Sequence, residues 1–186
     1  MKPEVGEVRL DGATLDQWPD AALGQHIGYL PQHLELLAGT IRDNIARFHP
    51  EADDAAVIEA ARVAGVHEMV LQLPDGCATS QEYNSAVLSG GQLQRIGLAR
   101  AVHGLPRYVV LDEPNSNLDA AGDEALSRAI TTLREAGSTV VVVHRPSAIA
   151  AINKVLVLHG GRVAEFGAKQ DVLQKSVRPT VPDGTI

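Results

Sequence analysis

At 186 residues, with 45% hydrophobic, 21% charged and 3% aromatic residues, the chain is long enough to bury a sizeable core, and its composition excludes a disordered polypeptide. A formal charge of −7 excludes general affinity for nucleic acid or anionic lipid, because both require a basic surface. No apolar stretch approaches the roughly 18 residues of a spanning helix, and the first residues lack a signal peptide's apolar region. The one cysteine, Cys77, cannot close an internal disulfide, which suits a reducing cytoplasm.

Residues 5–10 and 26–30 carry apolar, strand-like runs, with Asp11-Gly12 as a turn and Pro19 as a breaker between them. From about Leu36 to His103 the pattern becomes helical, with Ile41, Ile45 and Phe48, then Val57, Ile58, Ala61 and Val63, then Met69, Val70, Leu71 and Leu73 ahead of Pro74-Asp75-Gly76. This reads as a helical insertion in a sheet-containing core, and a last helix, Leu93 to Val102, closes it. Beyond it the pattern alternates: strand 107–112, helix about 119–135 with Leu126, Ile130 and Leu133 on one face, strand 138–143. Near-continuous apolar strands alternating with helices predict an α/β fold with a buried parallel sheet. Lys154 to Leu158, a His159-Gly160-Gly161 turn and Arg162 to Phe166 predict a hairpin, followed by a short helix from Ala168 to Lys175. Residues 176–186, with two prolines and no periodicity, read as a frayed tail.

The chemistry concentrates in two places. Leu88-Ser89-Gly90-Gly91-Gln92 opens the helix through Val102, so a hydroxyl and glycine N–H groups stand at a helix N-terminus, where the dipole favours an anion such as phosphate. Behind it, the apolar run Tyr108-Val109-Val110-Leu111 ends in Asp112-Glu113. A carboxylate ending such a strand is costly to bury without a cation or hydrogen bonds, which favours Asp112 as the organiser of a Mg2+ over a plain turn acid. Glu113, aimed differently, is placed to orient or deprotonate a water. Together the two features point to nucleotide hydrolysis.

Leu88 to Gln92 with Asp112-Glu113 resembles the signature motif and Walker B segment of an ATP-binding cassette (ABC) ATPase. Further pieces fall in that family's order: Gln32 in Tyr29-Leu30-Pro31-Gln32 as the Q-loop, Ser116-Asn117-Leu118-Asp119 as the D-loop, and His144 in Val143-His144-Arg145-Pro146 as the switch histidine. Gly39 to Ile45 resembles exporters, and Asn44 to Phe48 with Asp112 to Asp119 is similar to type I secretion permease/ATPases; the resemblance covers about residues 3–175.

The resemblance implies a P-loop NTPase-like ABC ATPase domain: a parallel sheet core, a helical signature subdomain at about 36–104, a catalytic core at about 105–175, and the tail. It implies ATP and Mg2+, with Glu113 as catalytic base, Asp112 at the metal, Gln32 touching Mg2+ or the attacking water, and His144 at the γ-phosphate. Leu88, Ser89, Gly90, Gly91 and Gln92 would close over ATP held by a second ABC subunit. Asp119, locally an N-cap, would lie at the dimer seam with Ser116, Asn117 and Leu118. The implied partners are a transmembrane permease domain, a secretion adaptor and an outer-membrane channel, with the ATPase at the cytoplasmic face of the inner membrane.

A Walker A P-loop is missing, since the chain contains no Gly-Lys dipeptide. Gly6 to Gly12 resembles the strand and turn beyond the P-loop in this family, so the expectation is the C-terminal part of a nucleotide-binding domain without its N-terminal strands, P-loop and adenine-stacking aromatic. The isolated chain is expected to be inactive. A non-catalytic module that completes or blocks a full-length partner is the alternative; the acidic charge and residues 39–45 argue against a soluble ABC protein of DNA repair or translation. Two departures stand out. Leu93 occupies a position that is usually basic, which is expected to weaken phosphate affinity modestly. The segment Gly137 to His144 is one residue shorter than the resemblance leads us to expect; a one-residue slip in a strand reverses side-chain direction, which would misplace His144 unless the preceding loop absorbs it.

Overall fold

The computed structural model describes residues 3–81, 88–143 and 151–176. The chain divides into two compact units, Met1–Ala148 and Ile149–Ile186.

The first unit opens with a ribbon of two short strands, β1 (Arg9–Leu10) and β2 (Ala13–Thr14), joined by Asp11 and Gly12 at φ 49° and 85°. Two successive left-handed residues make the mirror-image turn that matches strand twist. The strand expected over 5–10 is reduced to its last two residues and stays outside the main sheet. Its partner is only two residues long, and Val5, 93% exposed, finds no apolar surface. Pro19 does more than break the chain: its carbonyl accepts the Ala22 and Leu23 amides, each at 3.0 Å, and so starts a helix the sequence reading lacked, α1 (Asp20–His26).

β3 (Ile27–Leu30) follows directly. The next segment holds β4 (Gly39–Thr40), α2 (Ile41–Ile45), α3 (Asp54–Val63), α4 (His67–Leu71), β5 (Ser80–Gln81) and the long helix α5 (Gly90–Val102). The expectation of a wholly helical insertion needs one correction, because β4 and β5 pair antiparallel inside it. Gly39, at φ 140°, starts β4 against Phe48; a Cβ there would come within 3.0 Å of the Phe48 ring. Ile41, Ile45, Val57, Ala61, Val66 and Val70 form the insertion's core. Asn44 is buried with them and fully used: its amide nitrogen donates to the Leu37 and Thr40 carbonyls, and its oxygen accepts the Leu37 amide.

Then come β6 (Tyr108–Asp112), α6 (Ala120–Glu135) and β7 (Thr139–Val143). β3, β6 and β7 form a parallel sheet in that order, with Leu30 opposite Leu111 and Leu111 opposite Val142. One face, with Leu30, Val109 and Leu111 fully buried, packs against helices α5 and α6. The other face carries the row Tyr29, Val110 and Val141, in which Tyr29 is 52% and Val141 48% exposed. β7 keeps an even parallel register to its last residue, Val143 opposite Asp112.

α5 crosses β3 at close range. A Cβ on Gly28 would overlap the Ala101 carbonyl oxygen, and one on Gly97 would overlap the Leu34 side chain. Arg47 seals the junction: Nε donates to Arg100 O at 2.8 Å, Nη1 to Gly24 O at 2.7 Å and Ile27 O at 3.2 Å, Nη2 to Ala101 O at 2.9 Å and His103 O at 3.4 Å. One guanidinium thereby serves the carboxyl-terminal carbonyls of α1 and α5, which have no partner within their own helices.

In the second unit, β8 (Lys154–His159) and β9 (Arg162–Ala168) form the expected hairpin about Gly160 and Gly161, both left-handed, and α7 (Lys169–Ser176) follows. No helix of the described residues is long and apolar enough to cross a membrane.

Candidate functional site

β3 and β6 are parallel neighbours, so both end at the same edge of the sheet. At the carboxyl ends of parallel strands the chain turns away and leaves a crevice, the usual ligand position in open α/β sheets. Pro31-Gln32 leaves β3 there, and Asp112-Glu113 ends β6. The Gln32 amide nitrogen donates to Glu113 Oε2 at 2.9 Å, joining residues that are 81 apart in sequence. Asp112 is the last residue of β6; it is half-buried, and its carboxylate has no hydrogen-bond or ion-pair partner among the described residues. Glu113 has φ 45°, a left-handed conformation uncommon for a residue with a Cβ. That kink takes its side chain out of strand alternation and toward Gln32. His144, the residue expected beside Asp112, lies outside the described residues.

Ser89 is the N-cap of α5. Its Oγ accepts the Gln92 amide at 3.3 Å, while Gln92 Oε1 accepts the Ser89 amide at 2.8 Å. This reciprocal box satisfies two amides of the first turn and holds the Ser89 hydroxyl in place. Leu88 is buried beneath the turn; Ser89 and Gly90 are exposed, and Gly91 and Leu93 are half-buried. Among the described residues no hydrogen bond joins Ser89 to Asp112 or Glu113.

The two places are connected by the turn that follows the carboxylates. The Ser116 amide donates to Glu113 O at 3.2 Å and the Leu118 amide to Asn115 O at 3.2 Å, which coils residues 113–118 back onto α5. A Cβ at Gly91 would come within 2.9 Å of Asn117 O, so Gly91 lets the two backbones approach. Gln94, 3% exposed, donates its amide to Pro114 O at 3.3 Å. Asp119 caps α6, accepting the Gly122 amide at 2.8 Å, and Asn115 Nδ2 donates to Asp123 Oδ1 at 2.7 Å. Ser116 and Asn117 are exposed and Leu118 is half-buried.

The sequence reading singled out neither Gln94 nor Arg47. A signal existed for Gln94, which shares a helical face with Leu98 and Ala101, an amide on an otherwise apolar stripe. No periodic signal marks Arg47, whose five acceptors lie in two segments, 24–27 and 100–103, remote from it in sequence.

The family model described as ABC transporter matches residues 1–116. The chain belongs to the ABC transporter family. It is 53% identical over 175 residues to the type I secretion system ATP-binding protein PrsD of Rhizobium meliloti, covering 94% of this chain and 30% of that protein. It is 38% identical over 168 residues to the cyclolysin secretion/processing ATP-binding protein CyaB of Bordetella pertussis, covering 90% of this chain and 24% of the relative. Among solved structures it resembles a bacterial Atm1-family ABC exporter with ATP bound, at 30% identity and a TM-score of 0.82, over 94% of this chain and 31% of the other. The chain thus spans less than a third of each of these ABC proteins. The parallel sheet with helices packed on it is the ABC ATPase fold that the sequence predicted.

Proposed function

We propose that this chain forms part of the ATP-binding domain of an ABC exporter that powers type I protein secretion across the inner membrane. The observation that carries the reading is the Gln32–Glu113 hydrogen bond at the carboxyl edge of β3 and β6. It brings a carboxylate able to accept a proton and an amide able to orient a water to one point beside a second carboxylate. Glu113 serves as the general base for the attacking water, Gln32 orients it, and His144 contacts the γ-phosphate. Asp112 and the Gln32 carbonyl oxygen are hard oxygen donors that fit Mg2+, and Asp112 has no competing partner among the described residues. When bound with ATP, Mg2+ would neutralise phosphate charge.

Leu88, Ser89, Gly90, Gly91 and Gln92 complete the ATP site of a second subunit in a homodimer, and Ser116 to Asp119 lie at the seam between the sites. Residues 36–104 act as the helical subdomain and 105–175 as the catalytic core. The permease domain, adaptor and outer-membrane channel are the further partners, and the domain works at the cytoplasmic face of the membrane.

The absence of any Gly-Lys dipeptide favours a second reading, a non-catalytic module that completes or blocks the site of a full-length subunit. Both readings predict that the 186-residue chain by itself shows no measurable ATP turnover. A phosphate-release assay checks this; clear hydrolysis abolished by Glu113→Gln would refute the requirement for a P-loop. An in-frame P-loop and membrane spans in the coding sequence ahead of Met1 would decide for the exporter over the module.

A further inference from the structure

We propose that Gln94 is a positioning residue for Glu113, coupling the first turns of α5 to the carboxylate within one chain. This rests on the reading of Glu113 as the base. Glu113 sits in a left-handed conformation at φ 45°, which a residue with a Cβ keeps only when its surroundings over-determine it. The next residue, Pro114, is buried, and its carbonyl accepts the amide of Gln94, one of three buried polar residues among those described. A buried amide without a partner is costly, so the bond is maintained. Two more features fix the same turn: Asn117 O lies so near Gly91 that a Cβ there would come within 2.9 Å of it, and Asn115 donates to Asp123 of α6.

Pro114 follows Glu113 directly, so the Gln94 bond fixes the peptide on the far side of the kink. The direction in which Glu113 leaves the sheet, and hence its bond to Gln32, depends on where α5 stands. Ser89 and Gln94 lie on the same helix, little more than one turn apart. A displacement of α5 when Ser89 engages phosphate therefore reaches Glu113 through the Gln94 bond to Pro114, the link to α5 nearest the carboxylate. Gln94 touches no reacting atom; it acts through Pro114.

The test uses the full chain and needs no ATP turnover, so it stands or falls separately from the proposed activity. The side-chain amide resonance of Gln32 is followed by 15N NMR in a double-mutant cycle. In the unsubstituted chain, Glu113→Gln shifts that resonance because it replaces the acceptor. In a Gln94→Met background, which keeps length and removes the donor, the same substitution is expected to give less than about half that shift. A shift of equal size in both backgrounds overturns the proposal, since a side chain that only packs α5 would lower stability and leave the Gln32–Glu113 contact intact. If the Gln94→Met chain does not fold, the unsubstituted chain decides. The Gln94 side-chain amide protons are expected to exchange with solvent at least about tenfold more slowly than those of exposed Gln32. Equal exchange rates overturn the bond to Pro114 on which the proposal depends.

Discussion

Gly28→Ala is expected to destabilise the first unit by about 3 kcal/mol or more, the upper end of the cost of overpacking a core. The Cβ would overlap the Ala101 carbonyl oxygen and also come within 3.0 Å of the Ala101 carbonyl carbon and Pro106 Cγ. Two of those atoms are backbone, held by α5, so no rotamer change relieves the clash. The helix would have to lift off β3, and with it the Arg47 bonds to Ala101 and Arg100. Gly24→Ala is the control. Gly24 lies inside α1 with nothing within 4 Å of an added Cβ, so alanine there should raise stability by about 0.5 to 1 kcal/mol through helix propensity alone. Denaturant midpoints of the two variants should move in opposite directions; parallel movement would refute the close crossing of α5 and β3.

Arg47→Met is expected to cost about 3 kcal/mol or more, the loss of two hydrogen bonds to a charged donor at about 1.5 kcal/mol each, with water taking over at the remaining carbonyls. The guanidinium donates to five carbonyls, and among the described residues no carboxylate pairs with it. Burial, and then the neighbouring Arg100 charge, hold its pKa below the ordinary arginine value. The carboxyl-terminal ends of α1 and α5 offset that cost through their aligned dipoles. Arg47→Lys keeps the charge but presents a point donor in place of a planar fork, so it should recover only part of the stability. Arg107→Ala removes one bond from an exposed arginine to Gly137 O and should cost less than about 1 kcal/mol. If Arg47→Met is as mild as Arg107→Ala in denaturation, the junction is held by packing alone.

Much of the fold was legible because its elements carry period signals. β6 and β7 are continuous apolar runs, and α6 places Leu126, Ile130 and Leu133 on one buried face. The hairpin of the second unit announces itself through Gly160-Gly161 between alternating segments. α1 was not legible, since a short helix with a glycine in it and a proline ahead of it reads as a broken loop until its capping carbonyl is seen. Nor were β4 and β5, two residues each, whose partners lie some forty positions apart. At the candidate site the sequence nominates Gln32 and Glu113 separately, on strand ends; their bond depends on β3 and β6 being neighbours, which no local pattern encodes. Gln94, Gly28 and Arg47 escape for the same reason, because their significance lies in what they meet across the fold.

The reading of Glu113 as the general base of an ABC ATPase is tested most directly by exchanging this chain for the matching 175 residues of the Rhizobium meliloti type I secretion ATP-binding protein and measuring ATP turnover. With Glu113 in place the hybrid is expected to hydrolyse ATP, and Glu113→Gln should lower turnover at least about hundredfold while ATP binding persists. Turnover undiminished by Glu113→Gln would contradict the assignment of Glu113 as the base and, with it, the function drawn from its bond to Gln32.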